Sequence, residues 1–521
     1  MSSDSVRVRL EPWSTQIEAP KGTPLFAVLS AHGIEFPCGG TGTCGGCRIR
    51  VLAGSLPVTA EDEAIFSSSE ISLGWRLACQ ARADETLILE CGEARMDVLA
   101  DDACMRGTGR HGLGIAIDVG TTTIAAQMLD LGTGDVLAVR TALNPQVRFG
   151  SDVMSRIRAA LLGADLTSIL RSTLAGMVAE LAGARADDVT DVLLVGNTVM
   201  HHLFAALDVE PLSHAPFESP LLGEQVFQPK ELGWPLRNTS TIRFARCIGG
   251  FVGSDILAGI IATGMANGDA PAALVDLGTN GEIAIGNRHG IVCASTAAGP
   301  AFEAGTIRMG MRAAPGAIAH VALAAGALQV SVIGSGPPRG ICGSGVVDAA
   351  AAGLAGGAIR ASGRVTDKSK VFPVAGPVVL FQSDIRELQL AKAAIASGFG
   401  LLLAHGGATA RDLCRVDLAG AFGNYIQIRS ALAIGLLDVP SAIVHSAGNT
   451  ALRGAKLMLL ADHEPALPGI EHVKLASIPA FQDEFAAHMA FPEPIPYPRQ
   501  PSRIMVGNGP PDCIPGRQWP E

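Results

Sequence analysis

The sequence predicts an α/β protein in which a small β-rich N-terminal unit precedes a larger domain made of two related lobes. Three observations predict it. Four of the 11 cysteines fall between Cys38 and Cys79, which marks the N-terminal stretch as a unit with its own chemistry. From Gly114 onward, apolar strand-like runs alternate with Ala/Leu-rich helical stretches at 155–182, 346–358 and 388–410. The segment GIAIDVGTTTIAAQMLD (114–130) is echoed by AALVDLGTNGEIAIG (272–286): an apolar strand ending in Asp, then x-Gly-Thr, a polar residue and a second strand. The offset from Asp118 to Asp276 is 158 residues, too long for a solenoid repeat and suited to two halves of one domain.

In chain order, residues 5–19 alternate as strands do (Val6, Val8, Leu10, then Ile17), 22–33 carry a short helix from Pro24 to His32, and 85–91 form another strand. Between them, FPCGGTGTCGGCRIR sets Cys38, Cys44 and Cys47 in C-x5-C-x2-C spacing, and Cys79 follows after a further 31 residues. Glycines at 39, 40, 42, 45 and 46 let the backbone wrap an inorganic core and turn N–H groups toward sulfur. A structural zinc ribbon normally brings two C-x2-C knuckles, and only one short pair exists here, so the four thiolates point to a [2Fe–2S] cluster. The remaining cysteines, Cys91, Cys104, Cys247, Cys293, Cys342, Cys414 and Cys513, are single and are expected to be small buried apolar side chains. The expected division is residues 1–95 for the cluster unit, 96–112 for a turn-rich linker, 113–492 for the two-lobed domain and 493–521 for a Pro-rich irregular tail.

At 521 residues the chain has room for about three units of ordinary size. Charged residues are 17% and the net charge is −10, which supplies no basic footprint for nucleic acid. Mean hydropathy is +0.33, yet runs such as Ile256–Ala266 and Ile395–Ala404 are interrupted and fall short of the ~18 residues of a membrane span. No spanning helix is expected. The start MSSDSVRVRL lacks an apolar targeting core, so a cytoplasmic location is expected, where thiols serve metals instead of disulfides.

In DVGTTT, Asp118 ends a strand and Gly120, Thr121, Thr122 and Thr123 form a turn whose amides and hydroxyls can face an anion. DLGTNGE repeats the device with Asp276, Gly278, Thr279 and Asn280. Neither is a GxxxxGK[ST] loop, so turn amides would hold phosphate, and Asp118 and Asp276 would act on Mg²⁺ through water. GICGSG places Gly343 and Ser344 at a helix start, and DLAGAFGNY offers Gly420, Ala421, Phe422 and Gly423 for close approach of an adenosine. In this order across one domain, these loops predict ATP binding. Other groups carry bland readings beside functional ones. The pair His201-His202 is either a nucleotide or partner contact or a structurally satisfied pair at a lobe surface, Asp255 and Asp384 sit where helix N-caps would, and Lys392 is either a nucleotide contact or a solvated lysine.

The first 95 or so residues resemble a plant- or adrenodoxin-type ferredoxin of β-grasp fold, the x5 spacing being closer to the latter. The loops after Gly114 resemble the acetate and sugar kinase/Hsp70/actin superfamily. With NPQVRFGSDVMSRI (144–157), GNTVMHHL (196–203), GGFVGSDILAGI (249–260), STAAGPAFEAG (295–305), DIRELQLAKAAI (384–395) and GNTALRGA (448–455), the chain resembles the reductive activators of corrinoid-dependent enzymes. That resemblance implies an ATP-hydrolysing electron-transfer protein that returns inactive Co(II) corrinoid protein to Co(I), working with an upstream electron donor and forming a homodimer. Only about 20 residues separate Cys91 from Gly114, which suggests a compact version lacking the family's middle domain. Two rival readings are a small-molecule kinase with a redox-sensing ferredoxin and an electron-transfer scaffold that uses ATP only as a conformational ligand.

Overall fold

The computed structural model describes residues 5–11, 15–30, 47–91, 105, 107–423, 425–461 and 466–493. Cys38, Cys44, the expected tail beyond 493 and most of the expected linker lie outside these residues. The N-terminal unit contains β1 (Ser5–Glu11), β2 (Thr15–Pro20), helix α1 (Leu25–Ser30), β3 (Arg48–Ala53), β4 (Trp75–Leu77) and β5 (Leu87–Cys91), in sheet order β2-β1-β5-β3-β4. β1 and β2 form an antiparallel hairpin, while β1 and β5 run parallel. The alternation legible in β1 is what the packing uses. Val6, Val8 and Leu10 point to a core shared with Leu25, Leu29, Ile49 and Leu89, and the intervening residues face outward.

Residues 107–112 are bonded to the turn of the next hairpin, with N–H groups of Thr108 and Gly109 donating to the carbonyls of Leu131 and Gly132. The first lobe then lays down β6 (Leu113–Val119), β7 (Thr123–Asp130), β8 (Val136–Leu143), β9 (Val189–Gly196), β10 (Gln225–Phe227) and β11 (Thr241–Phe244), ordered β8-β7-β6-β9-β11-β10. Its helices are α2 (Val153–Leu161), α3 (Leu166–Ala182), α4 (Thr198–Ala205) and α5 (Ser254–Thr263). The helical stretch expected over 155–182 is thus two helices, broken where Gly163 takes a left-handed φ of 92° and Asp165 accepts the Ser168 N–H as a cap.

The second lobe repeats the plan. β12 (Ala272–Leu277), β13 (Gly281–Asn287), β14 (Gly290–Thr296), β15 (Arg415–Ala419), β16 (Val444–Gly448) and β17 (Ile470–His472) are ordered β16-β15-β12-β13-β14-β17. In both lobes an antiparallel three-strand meander is extended on its first strand by parallel strands, β9 and β11 beside β6, β15 and β16 beside β12. The central strands are buried along nearly their whole length, as a sheet covered on both faces requires. The second lobe's longer helices are α6 (Gly343–Ala355), α7 (Gln382–His405) and α8 (Thr450–Leu460).

One feature corrects the sequence reading, and a second lies beyond it. α7 is, by length and composition, apolar enough to cross a membrane, although no such helix was expected. Its apolar side chains are used internally: Leu388, Ala391, Ile395, Phe399 and Leu402 are buried in the second lobe's core, where each large one is worth roughly 1.5–3 kcal/mol. α8 follows β16 of the second lobe yet packs on the first lobe, its Leu452, Ala455 and Leu459 meeting Ala116, Leu129 and Leu193. There Gly454 lies so close to α5 that a Cβ would fall 2.0 Å from the Ala258 carbonyl oxygen, so this helix crossing requires glycine.

Candidate functional site

The two hairpin turns, 120–122 and 278–280, face each other across a cleft between the lobes. Asp118, Gly120, Thr121, Thr122 and Thr123 line it from one side, and Asp276, Gly278, Thr279 and Asn280 from the other. The hydroxyls of Thr122 and Thr279, 157 residues apart in sequence, come to 3.4 Å. Gly343 and Ser344 also line the cleft, at the N-terminus of α6, with Ser344 Oγ donating to the Ala319 carbonyl. Of the expected adenosine turn, Gly420 lines the cleft, while the side chains of Ala421 and Phe422 lie outside the described residues. Gly420 has a φ of 85°, and a Cβ on it would stand 2.4 Å from the Asp276 carboxylate. Its role is close support of that acid, because the turn packs directly onto the end of β12.

Two asparagines that sequence reasoning left without a role hold the first loop. Each follows a strand in a Gly-Asn-Thr triplet and caps the next helix: Asn197 Oδ1 accepts from the Met200 N–H at 3.0 Å, and Asn449 Oδ1 from the Leu452 N–H at 2.8 Å. The amide left over turns into the cleft. Asn197 Nδ2 donates to Thr121 Oγ1 and Asn449 Nδ2 to Asp118 Oδ2, both at 2.9 Å. The repeated triplet was the available signal.

Acids dominate the floor. Asp118, Asp255 and Asp276 line the cleft, and burial pushes them up to about 7, 6 and 8 respectively. Asn449 opposes the rise at Asp118, while the charges of Asp255 and Asp118 add to it at Asp276. Glu282 is raised well above its ordinary value by burial and by Asp255 and Asp276. Crowding of these acids at one end of the cleft makes it a favourable place for positive charge. Asp255 is not the N-cap expected of it. Gly253 occupies that position, and Asp255 in the first turn of α5 faces the cleft.

Glu303, also missed, bridges the lobes: Thr122 Oγ1 donates to Oε2 at 3.2 Å and Thr279 Oγ1 to Oε1 at 3.1 Å. Arg312 lines the same cleft, its pKa lowered to about 9 by burial. Lys392 does not reach it. Its ammonium donates to the Ala490 carbonyl, 2% of the residue is exposed, and it pins the chain at the end of the second lobe. Asp384 completes a capping box instead of serving as an N-cap, accepting from the N–H groups of Phe381 and Arg308. His201 and His202 are fully buried, not at a surface, and their ring nitrogens contact the Gly223 carbonyl and Ser219 Oγ.

At the other candidate centre, β3 and β4 pair Arg48 with Leu77, and the Ala78 N–H donates to the Cys47 carbonyl at 3.0 Å. This brings Cys47 and Cys79 to neighbouring strand ends. Gln80 Nε2 donates to Cys79 Sγ at 3.4 Å, a contact suited to a thiolate that carries negative charge. The two described candidate ligands therefore fit an iron–sulfur cluster. Among the other cysteines, Cys247, Cys293 and Cys342 are buried as expected, whereas Cys414 is exposed.

Residues 8–84 match the 2Fe-2S iron-sulfur cluster binding domain family, 113–268 the RACo middle region, and 270–499 the C-terminal ASKHA domain of RACo. The corrinoid activation enzyme RamQ of Eubacterium limosum is 35% identical over 417 residues, covering 73% of this chain and 70% of that protein. The [Co(II) methylated amine-specific corrinoid protein] reductase of Methanosarcina barkeri is 26% identical over 381 residues, 67% of this chain and 70% of that protein. The solved structure of a reductive activator for corrinoid, iron-sulfur protein matches with TM-score 0.64 and 26% identity, over 94% of this chain and 98% of that one. The middle region is present, contrary to the compact version expected from the short linker. It escapes notice in the sequence because 113–268 is itself the first of two lobes with one plan, not an insertion between ferredoxin and ATPase parts. With its three regions matched in order and more than a third of its aligned residues shared with RamQ, the chain belongs to the RACo family of corrinoid-activating proteins.

Proposed function

We propose that this chain is an ATP-hydrolysing reductive activator that delivers one electron to an inactive Co(II) corrinoid protein and restores Co(I) for methyl transfer. The observation that carries the reading is the meeting of Thr122 and Thr279 from opposite lobes over Asp118 and Asp276, in a chain that also brings Cys47 and Cys79 together. Cys38, Cys44, Cys47 and Cys79 would hold a [2Fe–2S] cluster, which supplies a one-electron carrier. Thr121, Thr122 and Thr279 and the turn amides bind the phosphates, and Asn197 and Asn449 orient the first loop. Among the described residues no three His, Cys, Asp or Glu side chains converge to ligate one ion directly. Mg²⁺ would come with the nucleotide's phosphates, and Asp118 and Asp276 would accept hydrogen bonds from its water shell.

The energetic logic is linkage. Every ~59 mV of uphill gap lowers a one-electron equilibrium about tenfold, and a nucleotide that binds one lobe arrangement better than another supplies the opposing bias. Residues 1–95 are assigned the electron, 113–492 the nucleotide, 96–112 the connection and 493–521 an irregular tail. A homodimer in the cytoplasm, fed by an upstream electron donor, completes the proposal.

The test is anaerobic spectroscopy of a candidate corrinoid protein with the cluster-loaded chain and a reductant, with Mg-ATP present or withheld. Co(I) absorption is expected only with Mg-ATP, accompanied by phosphate release, and is expected to vanish in Cys47→Ser and Cys79→Ser. Equal reduction without ATP would overturn the coupling. Reduction that needs ATP but releases no phosphate would leave a scaffold using ATP as a conformational ligand.

A further inference from the structure

The segment that follows β14 faces two sites at once. Toward the cleft, Glu303 accepts the hydroxyls of Thr122 and Thr279, one from each phosphate loop. A carboxylate that holds both hydroxyls occupies the acceptor role that phosphate oxygens would take. Five residues on, the Arg308 carbonyl accepts from Arg48 Nη1 at 3.2 Å, across the boundary between the cluster unit and the second lobe. Arg48 is the residue after Cys47.

The backbone between these points is tied turn by turn. Gly305 N–H donates to the Pro300 carbonyl, Ile307 to Ala304, and Gly310 to Ile307. The Met311 N–H then donates to the Ile341 carbonyl and the Ile341 N–H to the Met309 carbonyl, which ties the segment to the short strand that leads into Gly343 and Ser344. Arg308 is also held from outside: its N–H donates to Asp384, and its guanidinium lies 4.2 Å from the Phe381 ring centroid. One further contact joins the two units, Arg339 Nη2 to Glu90 Oε1 at 3.1 Å.

We propose that residues 300–310 transmit nucleotide state to the cluster unit: ATP phosphates displace Glu303 from the two threonines, and the linked turns carry that displacement to the Arg48–Arg308 contact. Glu303 is then a positioning residue that keeps the cluster unit docked until ATP binds. The proposal rests on the cleft being the ATP site. It predicts that the cluster's immediate surroundings change with nucleotide before any corrinoid protein is present.

The bond between Arg308 and Met309 provides the readout, because trypsin must engage the carbonyl that Arg48 holds, and Arg308 is exposed. Full-length, cluster-loaded protein is digested with and without Mg-AMPPNP, and fragments are quantified by mass spectrometry. In parallel, the EPR spectrum of the reduced cluster is recorded and the affinity for Mg-AMPPNP is measured. In the wild type, nucleotide is expected to raise cleavage at Arg308 about tenfold, through local opening, and to shift the EPR spectrum. Glu303→Gln, which keeps the side-chain volume, is expected to show the raised cleavage without nucleotide and to bind Mg-AMPPNP about threefold to tenfold more tightly, since no carboxylate must be displaced. Arg339→Gln, outside the cleft, is expected to raise cleavage at Arg308 and, by reciprocity, to tighten Mg-AMPPNP binding by about twofold to threefold.

Binding of Mg-AMPPNP with unchanged cleavage and an unchanged spectrum overturns the transmission and leaves the ATP site standing. A nucleotide response that persists in full in Glu303→Gln overturns the role of that residue. No binding of Mg-AMPPNP to the wild type removes the ATP reading, and the transmission with it.

Discussion

The two phosphate loops share a hairpin and differ in what surrounds their aspartates. Asp118 receives the Asn449 amide, its loop is braced again by Asn197 on Thr121, and its carboxyl rises to about 7. Asp276 has the Gly420 backbone against it, gains charge repulsion from Asp255 and Asp118, and rises to about 8. Burial and the charge of Asp255 raise both carboxyls, but a neutral amide donor offsets part of the rise in the first loop, whereas the second has only further acids beside it. Repetition of a motif therefore does not repeat its chemistry; the neighbours contributed by distant segments decide it.

The largest expected effect comes from removing the acid that has only further acids beside it. Asp276→Asn should lower Mg-dependent ATP hydrolysis by on the order of a thousandfold, and Asp118→Asn by about a hundredfold, the scale of losing one charged group beside a reacting phosphate. Phosphate release measured across a Mg²⁺ titration checks this, and an equal loss in both variants would erase the asymmetry. Gly420→Ala comes next. Its Cβ meets the Asp276 carboxylate and its positive φ is strained, so Mg-ATP affinity should fall by about tenfold or more, with Mg-free ATP binding less affected in calorimetry.

Smaller effects separate the two asparagines. Asn449→Ala should weaken Mg-ATP binding at pH 7 by about tenfold, because the Asp118 carboxyl loses the donor that favours its charged form. Asn197→Ala touches only a hydroxyl and should weaken binding by about threefold, while both variants lose a helix cap worth about 1 kcal/mol in thermal unfolding. The smallest effect is a pH slope. The folded chain holds protons on Asp118 and Asp276 that the unfolded chain releases near pH 4, so stability is greatest below that and is lost as pH rises toward about 8. Melting temperature of the nucleotide-free protein should fall over that window, Asp276→Asn should flatten the slope more than Asp118→Asn, and Mg-ATP should reduce it.

The sequence discloses what is local. The hairpins, their aspartates and threonines, and the repetition of one plan at Asp118 and Asp276 are legible because a strand, a glycine turn and a second strand are contiguous. It discloses poorly what depends on convergence. Glu303 and Arg312 enter the cleft from a loop without regular periodicity, and Asn197 and Asn449 do double service as caps and loop braces, which only the fold makes visible. Asp255 misleads because an acid at a helix start has the same local appearance whether it caps the helix or faces a ligand. Lys392 misleads in the opposite direction, since a lysine in an apolar helix suggests a ligand when it in fact ties down Ala490.

Cys414 has a practical consequence. Its N–H donates to the Pro271 carbonyl and its sulfur lies near Ala270, where the chain passes from the first lobe to the second. Burial pushes the thiols of Cys247 and Cys293 up to about 12, so at neutral pH they remain protonated and shielded from alkylating reagents. A maleimide dye would thus discriminate among these thiols by exposure alone, and a fluorophore on Cys414 would sit at the crossing between the lobes, positioned to report their relative movement in real time.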